Sequence, residues 1–143
     1  MSVVNVHKDP TNLSMTITCE FQATPERVWQ LWADPRQLER WWGPPTWPAT
    51  FPVHDLRSGG SAEFYMTGPD GAKSGGYWLV DVAEPPRYLE IRDGFTNPDG
   101  SVWTGNTFAT RGGLYKFQGN TGPGSQYKID ATGTLGQNNT NLY

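Results

Sequence analysis

The sequence predicts an α+β domain, with helices laid against one face of an antiparallel sheet. Two observations carry this. Runs of alternating apolar and polar residues are broken by Gly- and Pro-rich turns too short for parallel crossovers, so successive strands must be antiparallel neighbours. Two proline-started helical patterns interrupt the series after its first strand. Length and composition agree with one domain spanning 1–143, including an N-terminal segment of about 1–13 and an atypical Gly/Asn-rich segment of about 96–143. A chain of 143 residues can bury a true core. Seven Trp, six Tyr and six Phe, with 17 Gly and 12 Pro, suit a β-rich domain with many turns.

Residues 15–21, MTITCEF, alternate: Met15, Ile17, Cys19 and Phe21 point one way and Thr16, Thr18 and Glu20 the other. Cys19 is then a buried, inert thiol. In the following segment Thr24 is a suitable N-cap and Pro25 occupies the first helical position, where its missing N–H costs nothing. Val28, Leu31 and Trp32 share a face. Pro35 would clash inside a continuous helix, so a second helix starts after Asp34, with Gln37 completing a capping box. Leu38, Trp41 and Trp42 form its apolar side, and Gly43-Pro44-Pro45 ends it. Adjacent helical residues lie about 100° apart, so one of Trp41 and Trp42 enters the core while the other rims it.

Four strands follow, at about 49–57, 61–67, 76–83 and 87–93, separated by Ser58-Gly59-Gly60, Gly68-Pro69-Asp70-Gly71 and Glu84-Pro85-Pro86. Alternation turns Ala62, Phe64, Met66, Trp78, Val80, Val82, Leu89 and Ile91 inward. It turns Glu63, Tyr65, Tyr77, Leu79, Asp81, Glu90 and Arg92 outward. In the ending, SVWTGNTFAT, GLYKFQG and SQYKIDATG read as three strands and GQNNTNLY as a fraying tail.

Chemical candidates are sparse. His54 and Asp55 are neighbours on a strand, point to opposite faces and make no dyad. His7 lies in a polar, solvated segment. No cluster has metal-ligand spacing, so no metal is expected, and Cys19 alone excludes a disulfide framework. Nucleotide, phosphate-loop and nucleophile-elbow patterns are absent, so no cofactor and no catalytic residue is assigned. Among carboxylates, Asp55 and Glu63 read as surface charge, and Asp93 ends a strand. The net charge of -3 and the lack of a basic stripe argue against nucleic acid and anionic membrane as partners. The chain shows no apolar leader and no stretch of ~20 apolar residues, so a cytoplasmic location is expected.

Taken together, RWWGP at the helix end, DLRSGG, GPDG and GGYWLVDVAEPPRYLEIRDGF resemble the Activator of Hsp90 ATPase homolog 1-like family, of the START-like (SRPBCC) superfamily, over about residues 14–95. The order and spacing of Trp41-Trp42-Gly43-Pro44, Gly59-Gly60 and Glu84-Pro85-Pro86 carry most of the likeness. The resemblance implies a helix-grip fold, a curved antiparallel sheet around a long C-terminal helix, with an apolar cavity between them. After about residue 96 the sequence departs from the pattern. No helical period appears there, so the gripping helix is expected to be missing or replaced by strands, or the face to be covered by a second copy of the chain. The cavity the resemblance implies would be lined by Trp32, Trp41, Trp42, Trp47, Phe51, Phe64, Met66, Trp78, Val80, Ile91 and Phe95, and would take a small apolar molecule. The alternative for each is ordinary core packing. Two other functions stay open: a co-chaperone-like module docking on a chaperone, and a cavity enzyme using His54 or Asp93.

Overall fold

A computed structural model describes residues 2–11, 14–96, 113–119 and 125–133. The elements are β1 (Ser2–Asp9), β2 (Ser14–Phe21), α1 (Pro25–Ala33), α2 (Pro35–Leu38), β3 (Ala49–His54), β4 (Ser61–Thr67), β5 (Lys73–Glu84), β6 (Tyr88–Thr96), β7 (Gly113–Gly119) and β8 (Ser125–Gly133). All eight strands form one sheet in the order β1-β2-β8-β7-β6-β5-β4-β3. Every neighbouring pair is antiparallel. β3 to β8 form an unbroken meander, and β8 closes against β2, with Ile17 opposite Ile129.

The two helices begin as their sequence dictates. The Thr24 hydroxyl accepts from the Arg27 amide, and Pro25 opens α1. Asp34 ends α1 and caps α2, accepting from the Arg36 amide at 2.9 Å and from Gln37 Nε2 at 3.0 Å. Gln37 thus bonds the capping carboxylate instead of completing a reciprocal box. These bonds hold the Asp34 carboxyl below its ordinary range, the Gln37 side chain contributing most. The second helix is shorter than the sequence suggested. It stops at Leu38, and Trp41 and Trp42 stand on the turn after it, their amides bonding to the Leu38 carbonyl. The buried face of α1 comprises Val28, Trp29 and Trp32; Leu31 is only partly buried.

Inward alternation holds across the meander as far as a bulge in β5: the register slips between Val80 and Val82, so Val82, expected inward, stands opposite Glu90 and is only half-buried, while Ala83 packs against the core. Ala62, Phe64, Trp78, Val80, Leu89 and Ile91 are buried, joined by Ala49 and Phe51 of β3, and they pack with Val28, Trp29, Trp32 and Leu38 into one core. Each fully buried Phe, Leu, Ile or Val contributes roughly 1.5–3 kcal/mol, so this row supplies most of what holds the helices to the sheet. Met66 and Phe21 pack at its edge. Met15 and Cys19 are buried on β2, as expected, and burial pushes the Cys19 thiol up.

Several boundaries moved, each for a local reason. Residues 2–9 are not a loose segment but the edge strand β1, hairpinned to β2. The register slips between Val3 and Asn5, and such a bulge breaks the period of two that alternation looks for. β3 ends at His54, where Asp55 turns to bond Ser61 and pairs with Arg57 at 2.7 and 3.0 Å. β5 begins at Lys73 rather than at 76, taking in Gly75 ahead of Gly76. Glycine suits both positions because the Thr96 hydroxyl and the Phe64 ring fill the spaces their side chains would occupy. Asp93 lies inside β6 rather than at its end. At the hairpin between β4 and β5, Gly71 has φ +83°, the left-handed conformation that suits glycine.

GLYKFQG and SQYKIDATG are β7 and β8, as the sequence predicted. The expected strand at SVWTGNTFAT and the tail GQNNTNLY lie outside the described residues. Among the described residues there is no third helix, and β7 and β8 continue the sheet.

Candidate functional site

The tryptophans converge at one end of the inner face. Trp42 lies edge-on to Trp78 at 4.7 Å, Phe64 at 5.7 Å and Phe51 at 6.4 Å between ring centres. Trp32 stacks behind, 6.2 Å from Trp78 and 6.4 Å from Trp42. Phe51 closes the group, 5.1 Å from Phe64 and 5.2 Å from Trp78. These separations fall in the range where edge-to-face pairs gain about 0.5–1.5 kcal/mol beyond burial. The two neighbouring tryptophans, on the turn after α2, face different ways. Trp42 is half-buried and packs against the core. Trp41 is 40% exposed, lies over the edge of Trp32 at 4.9 Å, and donates its Nε1–H to the Leu31 carbonyl at 3.2 Å.

The structure therefore joins Trp32, Trp41, Trp42, Phe51, Phe64 and Trp78 into one aromatic cluster. The other expected residues flank it. Val80 and Ile91 face each other across β5 and β6, fully buried beyond Trp78. Phe95 stands opposite Gly76, and Met66 packs at the margin. Trp47 is set apart, its ring lying over Gly68 at the β4–β5 turn.

Trp78 is the centre of this arrangement and its anomaly. It has no solvent exposure, and its Nε1–H has no hydrogen-bond partner. Among the described residues no other buried side-chain polar atom is left this way. A buried indole N–H nearly always finds an acceptor, and leaving one unmade costs about 1–3 kcal/mol.

The two groups considered for acid–base work lie on the same cross-strand row. His54 pairs with Ala62, Ala62 with Trp78, and Trp78 with Asp93. Three strand spacings separate His54 from Asp93, roughly 14 Å, so they do not form a dyad. His54 Nε2 lies 2.9 Å from the Trp32 carbonyl, where the ring N–H donates and ties α1 to the sheet. Burial beside Phe51 and Trp78 pushes the imidazole below its ordinary value, opposed by the bond to Trp32. This environment keeps His54 neutral and structural. No group of three His, Cys, Asp or Glu able to hold a metal occurs among the described residues.

A groove lies on β3, β4 and β5. It measures about 460 Å³, is half open, and includes Phe64 and Trp78 of the expected cavity set. The side chains that alternate away from the core around it are Pro52, Glu63, Tyr65 and Lys73, with Tyr77, Leu79 and Thr96. Sequence reasoning placed Glu63, Tyr65, Tyr77 and Leu79 on the outer side but gave them no role. The signal available was two outward tyrosines on paired strands next to glycines.

Among the described residues no helix is long and apolar enough to cross a membrane. No functionally curated protein matches the chain. Solved structures do. A protein of Arthrobacter aurescens, determined in solution, is 42% identical, superposes with a TM-score of 0.84, and aligns over 93% of this chain and 76% of its own. Protein Ms6760 of Mycobacterium smegmatis is 38% identical with a TM-score of 0.78, over 93% of this chain and 80% of its own. A Rhodobacter sphaeroides protein at 24% identity shares the fold, with a TM-score of 0.71, over 90% of this chain and 76% of its own. The sequence profile described as Activator of Hsp90 ATPase homolog 1-like protein matches residues 22–117, which carries the likeness past residue 95 and into β7. The chain belongs to the Activator of Hsp90 ATPase homolog 1-like family, with the α+β helix-grip architecture of START-like proteins.

Proposed function

We propose that the protein binds a small, largely apolar molecule carrying one hydrogen-bond acceptor, on the inner face of the sheet beside Trp78. The observation that carries this reading is the unpartnered Nε1–H of Trp78, buried among Trp42, Phe51 and Phe64. Apolar surroundings supply the driving force, through surface removed from water, and the lone donor orients the ligand and selects a carbonyl or similar oxygen. Trp32, Trp42, Phe51 and Phe64 are the walls, and entry requires the aromatic cluster to part. The activity is sequestration, with no cofactor and no bond made or broken.

A matched pair of probes tests it. 2-Acetylnaphthalene and 2-ethylnaphthalene are close in size and differ in the carbonyl oxygen. Tryptophan-fluorescence titration should show the ketone binding about tenfold more tightly, the worth of one buried hydrogen bond. That preference should vanish in Trp78→Phe, with circular dichroism confirming that the variant is folded. Equal affinity for the two probes, or no binding of either, refutes the reading.

A further inference from the structure

The groove on β3, β4 and β5 has chemistry that the inner face lacks. Its middle is aromatic. Tyr77 lies flat across Gly94 of β6, an arrangement that only a missing side chain at 94 permits, since a Cβ there would stand 2.6 Å from the ring. By leaning toward β6 it leaves open the space on its β4 side, next to Glu63, its register partner. Tyr65, one row along, is opposite Gly75, and Leu79 is 40% exposed at the other side of Tyr77. The apolar surfaces are thus held apart rather than packed on each other, and a volume of about 460 Å³ lies between them, within the range that holds small organic ligands.

Its two sides carry opposite charge. Lys73 Nζ sits 4.3 Å above the centre of the Tyr65 ring, so it leans back along the strand toward the groove, with its three donors uncommitted to any carboxylate. Glu63 is exposed and has neither hydrogen bond nor ion pair among the described residues. Among the described residues no ion pair joins Glu63 to Lys73. Glu63 and the register partner of Lys73, Thr67, are four residues apart on β4, roughly 13 Å along the strand. Elsewhere on this face opposite charges do meet, Arg92 and Asp81 making a two-pronged pair at 2.9 Å. Glu63 beside its register partner Tyr77, and the Lys73 ammonium over Tyr65, leave an anion and a cation facing one trough.

The geometry points to a second binding site here, for a small zwitterion with a flat apolar middle: an amine at the Glu63 side, a ring against Tyr65 and Tyr77, and an acidic group at Lys73. The site is independent of the inner face, because outward residues of a strand do not reach the inward side.

The test uses the full chain and three probes in calorimetric titration: 4-(aminomethyl)benzoate, which carries both charges across a ring, and benzylamine and 4-methylbenzoate, which carry one each. The zwitterion should bind at least tenfold more tightly than either single-charge probe. Glu63→Gln should reduce its affinity about tenfold and leave 4-methylbenzoate unchanged. Lys73→Met should do the converse, sparing benzylamine. Trp42→Phe, which changes a wall of the inner face and does not line the groove, should alter none of these affinities. No zwitterion preference, or affinities indifferent to both charge variants, overturns the proposal. So does zwitterion binding lost in Trp42→Phe, which would place the molecule on the inner face. Failure of the naphthalene titration leaves this site standing, and failure here leaves that one standing.

Discussion

Replacing Trp78 by phenylalanine separates the reasoning about its N–H from ordinary core packing. Trp78 is fully buried, and its neighbours Trp42 and Phe51 lie 4.7 and 5.2 Å away, so the site collapses poorly around a smaller ring. Truncation of a buried Phe or Trp to Ala costs about 3–5 kcal/mol, and the step to Phe removes about a third of those atoms, so the packing loss is about 1–2 kcal/mol. Against this, the variant no longer buries a donor without an acceptor, which removes a penalty of about 1–3 kcal/mol. The two nearly cancel. Trp78→Phe should therefore lie within about 1 kcal/mol of the parent, whereas Trp78→Ala, which gains the same relief but loses all of the packing, should lie about 2–3 kcal/mol below Trp78→Phe. Urea denaturation followed by circular dichroism reads this directly: for a chain of this size 1 kcal/mol is about half a molar in the midpoint at unchanged slope. A loss above about 3 kcal/mol for Trp78→Phe would mean that the N–H is satisfied in solution, and the selectivity argument for a ligand acceptor would fall with it.

Three further outcomes follow from particular contacts. Gly76→Ala would drive a Cβ into the Phe64 ring, which Phe51, Trp42 and Trp78 hold in place, so it should destabilise by about 1–3 kcal/mol; a neutral result in the same urea assay would show that Phe64 is free to move. His54 has a folded pKa depressed below 6.5, so above that pH both states are neutral and nothing is lost, while below it the unfolded chain takes up the proton first and stability falls until the lower folded value is passed. Melting temperatures across pH 7 to 5 should show a drop in the parent that is smaller in His54→Gln, and equal slopes would reject this. Cys19, buried with its thiol pushed up, should react with a disulfide reagent only as fast as the protein opens, and at full rate in denaturant; rapid reaction of the native protein would place the thiol at the surface.

The features legible in the sequence were those set by neighbours along the chain. Alternation located the inward row from Ala62 to Ile91, because a strand's side chains reverse at every residue whatever lies around them. Thr24-Pro25 and Asp34-Pro35 fixed two helix starts, because capping is settled within one turn. Even the strands at 113–119 and 125–133 could be read from their alternation and their glycine borders. Where residues distant in sequence determine the conformation, the same signals failed. β5 reaches back to Lys73 because its first residues pair with β4 and β6, and Ser2–Asp9 pairs with β2, partners that no local pattern announces.

The site divides in the same way. The sequence by itself determined that tryptophans would gather between helices and sheet, since apolar faces at helical and strand periods must meet. Only the tertiary structure decided that Trp42 goes inward and Trp41 outward, that the Trp78 N–H finds no acceptor, and that His54 and Asp93 stand three strands apart. It also decided that, among the described residues, no ion pair joins Glu63 to Lys73, whose ammonium lies over Tyr65. Hydrogen-bond satisfaction and charge separation are sums over everything within a few ångströms, and strand pairing sets that neighbourhood through residues dozens of positions apart in the chain.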